Sequence, residues 1–276
     1  VLPAFGWHAG TRGRALFLIA IAFSAFQIVT AAFSPLPSLI VRAVHVGFLL
    51  LMTFALFPGF TARTRPYHSL AWALGLTGFG LAFYHWVFEA ELIQRAGDPT
   101  TVDMVIGIAT IVLVFEAARR IMGIALPLIC ALFLAYALFG NHLPGELAHR
   151  GYDFSQVVDQ LGFGTEGIYG IPTYVSSTYI FLFILFGAFL EQAGMIRLFT
   201  DFALGTVGHT KGGPAKVSVI SSGLMGTING SGVANVVTTG QFTIPLMKKF
   251  GYRAEFAGGV EATSSMGGQI MPPAMG

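Results

Sequence analysis

Residues 216–248 read KVSVISSGLMGTINGSGVANVVTTGQFTIPLMK. Basic residues close the stretch at both ends, Lys211 and Lys216 before it and Lys248, Lys249 and Arg253 after it. Only 31 residues, 217–247, lie between. Two full bilayer crossings need about 40 residues plus a turn. A single crossing would leave one basic cluster on the wrong side of the membrane. A re-entrant helical hairpin over residues 214–248, entering the bilayer and returning on the same face, satisfies both constraints. Its middle, Gly226-Thr227-Ile228-Asn229-Gly230-Ser231-Gly232, carries three glycines and interrupts any helix. Pro214 suits the first turn of the incoming arm, and Ser231 suits the N-cap of the outgoing one. Arms of about 12 to 16 residues are about 18–24 Å long and bring the tip toward the bilayer midplane. Broken backbone at that depth must be buried in protein or line an aqueous cavity. The first arm then ends in free carbonyls suited to a cation, and the second begins with free N–H groups suited to an anion.

Composition sets the surroundings. Hydrophobic residues make up 54% of the 276 and charged residues 10%, with 35 glycines. Soluble domains carry about 25% charged residues. A mean hydropathy of +0.72 therefore excludes a soluble fold and implies helices closely packed in lipid. A net charge of +2 gives no basis for binding nucleic acid. The single cysteine, Cys130, cannot form an internal disulfide or a thiolate zinc site. No resident cofactor is expected. Val1 in place of a Met, and an apolar end at Met275-Gly276, point to a piece of a longer chain.

Six apolar runs are long enough to cross, at residues 15–33, 39–57, 69–88, 102–118, 121–139 and 171–190. The fourth is the shortest, and a seventh opens near Ala254. The expected fold class is an all-α polytopic membrane protein with six to seven transmembrane helices and one re-entrant hairpin. Placing the N-terminus in the cytoplasm puts 12 of the 15 basic residues inside, and only Arg42, Arg95 and Arg150 fall outside. The outer loops are acidic, with Glu89, Glu91, Asp98, Asp103, Glu146, Asp153, Asp159 and Glu166. Trp7, Trp72 and Trp86 lie near span ends, as interface anchors do. Two further segments are amphipathic: residues 153–170, read either as a short interfacial helix or as a packed loop, and residues 195–203. A change of character near Arg119-Arg120 separates four spans with short loops from longer, Gly-rich segments.

A second interrupted helix follows the hairpin, over residues 254–276. It opens at membrane depth and meets Gly267-Gly268 and Pro272-Pro273, which should unwind it. Glu261, Thr263, Ser264, Ser265 and Gln269 are polar there. Glu261 has two readings: a functional ionisable group at depth, or a carboxylate at the cytoplasmic rim, since Arg253 is only eight residues earlier.

These two stretches resemble the large membrane subunit of TRAP (tripartite ATP-independent periplasmic) transporters. Gly213-Pro214-Ala215-Lys216-Val217, Ser221-Ser222-Gly223-Leu224-Met225-Gly226-Thr227-Ile228-Asn229-Gly230-Ser231-Gly232 and Asn235-Val236-Val237-Thr238-Thr239-Gly240 carry the resemblance. Phe256-Ala257-Gly258-Gly259-Val260-Glu261-Ala262 and Gly267-Gly268-Gln269-Ile270-Met271-Pro272-Pro273 continue it. The wording is similar to the fused type, in which small and large subunits share one chain, often with a TAXI-type binding protein. The specific match covers residues 212–276, and the earlier residues match only in span layout. The resemblance implies an elevator-type transporter of the bacterial inner membrane, driven by a sodium gradient and supplied with a small organic acid by a periplasmic binding protein. It further implies residues 1–118 as a small-subunit-like four-helix region, 119–211 as scaffold helices, and 212–276 as the start of a transport domain. The second hairpin and the remaining spans of that domain would lie outside this chain. Carried over residue by residue, the substrate or ion site comprises Ser221, Ser222, Thr227, Asn229, Gly230, Ser231 and Asn235 from the hairpin. From the unwound helix come Glu261, Thr263, Gly267, Gly268, Gln269 and Pro272. Sodium itself would sit at Asn229, Ser231 and Gly268.

Other signals are weaker. His142, Glu146 and His149 have metal-ligand spacing, but Pro144 and Gly145 interrupt the helix that would align them. His45 and His85, inside spans, read as interhelical hydrogen-bonding groups. An ion channel, or another ion-coupled transporter, would also use a re-entrant hairpin. An enzyme is not expected, because Ser231 has no partner histidine near it in sequence.

Overall fold

The computed structural model describes residues 6–8, 10–33, 36–57, 65–145, 148–230 and 232–272. The described residues are mostly helical and contain no strand. Among them six helices are long and apolar enough to cross a membrane: Gly10–Phe33, Ser38–Leu56, Ser69–Gln94, Thr101–Met122, Ala125–His142 and Ile171–Gln192. The fold is an all-α, multi-pass membrane protein. The chain divides into two compact units, residues 1–178 and 179–276.

The first unit contains α1 (Gly10–Phe33), α2 (Ser38–Leu56), α3 (Arg65–Gln94), α4 (Thr101–Met122), α5 (Ala125–Phe139), α6 (Phe154–Gly162) and α7 (Ile171–Val175). Its core is α2, which buries Ile40, Val44, Leu51 and Phe54. Glycines bring α2 and α3 together: a β-carbon on Gly47 would stand 2.7 Å from Ala82 Cβ, and one on Gly78 would stand 3.0 Å from Leu50. Small residues at the contact are how helices pack in lipid, where apolar burial alone gives no preference for protein over tails.

Several boundaries differ from the sequence reading. The third helix runs to Gln94, past a non-helical Phe88 (φ −109°, ψ 18°) where the apolar run ends. The fourth is a full crossing rather than the shortest one. The Thr100 hydroxyl and Asp103 carboxylate form a capping box at its start, and Gly123 (φ 84°) ends it. The fifth therefore begins at Ala125 and not at residue 121, because Gly123, at φ 84° and ψ −172°, lies outside helical backbone and separates the two helices. The sixth span is interrupted by a π-helical turn at Ser176–Ile180.

The amphipathic segment after α5 is a helix, not a packed loop. The Asp153 side chain caps α6 by accepting from Ser155 N–H at 3.1 Å and Ser155 Oγ at 2.6 Å. These bonds, the Ser155 hydroxyl first, hold the Asp153 carboxyl below its ordinary range. Val158 and Gly162 of α6 pack on Gly107 of α4. His45 behaves as read, bonded to Gln27 of α1 and to Ser176 Oγ at 3.0 Å. His85 does not. Its ring lies tilted against Phe163 and edge-on to Tyr169, and neither ring nitrogen has a hydrogen-bond partner among the described residues.

The second unit contains α8 (Phe181–Gln192), α9 (Met195–Val207), α10 (Gly213–Asn229), α11 (Gly232–Thr238), α12 (Gly240–Lys249) and α13 (Ala254–Met266), closed by a 3₁₀ turn at Gly267–Ile270. The second amphipathic segment forms α9, which buries Thr200 and Ala203. At Gly187 of α8 a β-carbon would stand 3.0 Å from Ile228 of α10.

Candidate functional site: a helical hairpin on a broken helix

Helix α10 starts at Gly213-Pro214 and stops at Gly230, whose left-handed backbone (φ 59°) returns its N–H to Gly226 O at 3.0 Å. The chain then reverses. Asn235 Nδ2 on α11 donates to Ser222 O on α10 at 2.9 Å. In a continuous helix those residues would stand about 20 Å apart along the axis. Residues 217–247 are therefore a hairpin and not a single rod. Its outgoing arm is two helices, α11 and α12, meeting at Thr239, and Pro245 lies within α12.

The hairpin lies against α13 and its 3₁₀ turn. Near the tip one contact is glycine on glycine. A β-carbon on Gly226 would stand 2.2 Å from Gly268 Cα, and one on Gly268 would meet Asn235 Nδ2 at 2.3 Å. Gly232 lies under Ser265 O and Gln269 Nε2, at 3.2 and 3.3 Å from a β-carbon built there. The Gly-Gly pair does loosen the helix as expected, from α to 3₁₀ at Gly267, with the chain leaving the helix at Met271.

Deeper between the arms, Glu261 is fully buried. Its Oε1 accepts from Thr239 Oγ1 at 2.5 Å and Ser265 Oγ at 3.1 Å. Its Oε2 accepts from Ser218 Oγ at 2.7 Å and from Thr243 Oγ1. Ser218 also meets Ser264 at 2.8 Å, and Ser222 donates to Ser265 at 3.2 Å. One carboxylate thus joins both arms of the hairpin to α13 through hydroxyls. Burying a carboxylate is costly unless its lone pairs are met, and four donors meet them here.

The expected site residues divide accordingly. Ser221, Ser222 and Asn235 are buried on the hairpin's inner face, with Ser221 donating to Ser218 O at 3.5 Å. Thr227, Gly230, Gly267 and Gly268 stand at the tip and the 3₁₀ turn, and Thr227 Oγ1 donates to Leu224 O at 2.6 Å. Gln269 lies over Gly232, while Pro272 is exposed beyond the turn. Thr263 is not in an unwound segment. It sits in regular α13, exposed, bonded to Gly259 O at 2.8 Å. The side chain of Asn229, the whole of Ser231, and Pro273 lie outside the described residues. Ser218, Thr239, Thr243, Ser264 and Ser265 complete the polar core and were absent from the expected set. Their signal was present: 218, 221 and 222, then 235, 238, 239 and 243, then 261, 264 and 265 each follow helical spacing.

The family model described as Tripartite ATP-independent periplasmic transporter, DctM component, matches residues 109–276. The chain belongs to this family. Among the TRAP permeases similar to it is the C4-dicarboxylate TRAP transporter large permease protein DctM of Rhodobacter capsulatus. That protein is 37% identical over 93 residues, 34% of this chain and 21% of its own. The protein of the same name from Vibrio cholerae serotype O1 is 29% identical over 165 residues, 60% of this chain and 34% of its own. The sialic acid TRAP transporter large permease protein SiaM of that organism is 33% identical over 93 residues, 34% of this chain and 22% of its own. The chain thus spans about a fifth to a third of the length of these curated relatives. No solved structure matches it. The hairpin, α13 and the Gly226–Gly268 contact all fall inside the TRAP match.

His149, of the metal-spacing trio, uses Nε2 on Tyr136 O at 2.9 Å and Nδ1 on Gly151 N–H at 3.0 Å. Glu146 lies outside the described residues.

Proposed function

We propose that this chain is the permease part of a TRAP-type secondary transporter in a bacterial inner membrane. It imports an organic acid delivered by a periplasmic binding protein, of the TAXI type, and is driven by an inward sodium gradient. Its N-terminus lies in the cytoplasm, and the hairpin enters the bilayer from that side. Relatives named for C4-dicarboxylate, sialic acid and 2,3-diketo-L-gulonate, each a carboxylic acid, support the substrate class.

The observation that carries this reading is the meeting of two interrupted helices at Gly226 and Gly268. The last turn of α10 leaves carbonyls without intrahelical donors, and the Thr227 hydroxyl has already spent its proton on Leu224 O. Both offer hard oxygen atoms to a small cation. Sodium coordinated around Asn229, Ser231 and Gly268 would supply the coupling charge. The Glu261 network would carry the hairpin and α13 as one body in an elevator motion.

Reconstituted transporter should accumulate substrate only when its binding protein and an inward sodium gradient are both present. Uptake that persists with the binding protein omitted and the gradient collapsed would indicate a channel and overturn the proposal.

A further inference from the structure

The first unit contains a cleft of about 860 Å³ that the transport reading does not use. Helices α4 and α5 wall it, and α6 with the segment preceding it covers it. The walls are apolar, with Val114 and Phe115 on one side and Phe133 and Leu134 on the other. Apart from Cys130, every polar side chain in the lining comes from a single run of chain: Arg150, Tyr152, Gln156 and Gln160. A space with apolar walls and one polar, cationic edge is complementary to an amphipathic anion.

The charges sharpen this. Three basic residues fall on the side the sequence places outside, and two are committed. Arg42 donates to Tyr169 O at 2.7 Å and to Ser38 Oγ at 2.9 Å. Arg95 pairs with Glu91 at 3.4 Å and Asp103 at 3.5 Å. Arg150 has neither a hydrogen bond nor a carboxylate partner among the described residues, and its guanidinium lies over the Tyr152 ring at 5.3 Å. Helix α5 is apolar along its length and buries no residue, so its cleft side still needs apolar cover.

We propose that this cleft binds a membrane phospholipid, with an acyl chain along α4 and α5 and the phosphate on Arg150. The guanidinium fork matches two phosphate oxygens, and the neighbouring glutamine amides can donate to the rest of the headgroup. This site stands independently of the transport reading.

Cys130, the chain's single cysteine, lines the same cleft and reports its occupancy. The purified protein, delipidated in detergent, is reacted with an apolar maleimide. Dioleoyl phosphatidylglycerol is added in one arm and dioleoylglycerol, with the same chains and no phosphate, in the other. The phospholipid should slow Cys130 labelling at least about fivefold more than the diacylglycerol, a preference near 1 kcal/mol. Arg150→Gln should abolish that difference, and Ala137→Phe, which fills the cleft, should slow labelling without any lipid. Equal protection by both lipids in the wild-type protein would overturn the proposal, and this comparison needs no variant. Labelling blocked in every arm would also overturn it, giving the cleft to a segment of the protein itself or, where dilution relieves the block, to a second copy.

Discussion

Gly226 and Gly268 stand so close that a β-carbon on Gly226 would lie 2.2 Å from Gly268 Cα, so hairpin and broken helix touch backbone to backbone. Real β-carbons do not approach other atoms so nearly, and the two elements would have to part. Gly226→Ala and Gly268→Ala should each destabilise the protein by about 1–3 kcal/mol, the usual cost of overpacking. Gly267→Ala is the internal control, because open space surrounds that position. Thermal midpoints in detergent check the ranking, with both disruptive variants clearly below the control.

Gly230 reverses the chain with φ 59°. Gly230→Ala should cost about 1–2 kcal/mol from left-handed strain, and Gly230→Asn should cost less, since Asn tolerates that region. Equal midpoints for the two variants would show that the backbone at the tip had relaxed out of this conformation.

The Glu261 network links α10, α12 and α13. Thr243→Val removes one donor at nearly constant volume and should cost about 1–3 kcal/mol. Glu261→Ala removes every bond and leaves a cavity, for about 2–5 kcal/mol. Glu261→Gln keeps the shape and exchanges one acceptor for donors, so it should fall between wild type and Glu261→Ala. Hydrogen exchange should increase on α12 and α13 together in Glu261→Ala, because one carboxylate holds both. Exchange confined to α13 would remove Glu261 as the link.

In the first unit Asp103 accepts from Thr100 N–H at 2.9 Å, Thr100 Oγ1 at 2.6 Å and the Tyr84 hydroxyl, and pairs with Arg95. Thr100→Ala should lose the helix cap and one hydroxyl donor to Asp103, about 0.5–2 kcal/mol. Asp103→Ala should cost more, above about 2 kcal/mol, because Tyr84 and Arg95 lose their partner as well. Melting of the two variants under identical conditions decides the order.

Much of this was legible in the chain. The hairpin could be read from length and charge alone: 31 residues between two lysine clusters cannot cross twice, and Gly226, Gly230 and Gly232 mark the reversal. The 3₁₀ turn was legible in Gly267-Gly268 for the same local reason. Thr263 was misplaced because nearness in sequence to a break was taken for membership in it, whereas two residues from Glu261 is the opposite side of a helix.

The sequence by itself determined the helical, membrane-spanning class, the basic flanks of the hairpin and the two stretches, 226–232 and 267–273, where helices are interrupted. These follow from residue type and spacing, which act over a few neighbours. Only the tertiary structure decided that Glu261 is buried, that its oxygens are met by Ser218 and Thr243 from 43 and 18 residues away, and that Gly226 faces Gly268. Which polar stripe meets which depends on how closely the backbones approach. That is settled by steric fit between segments distant in the chain, and no local pattern encodes it.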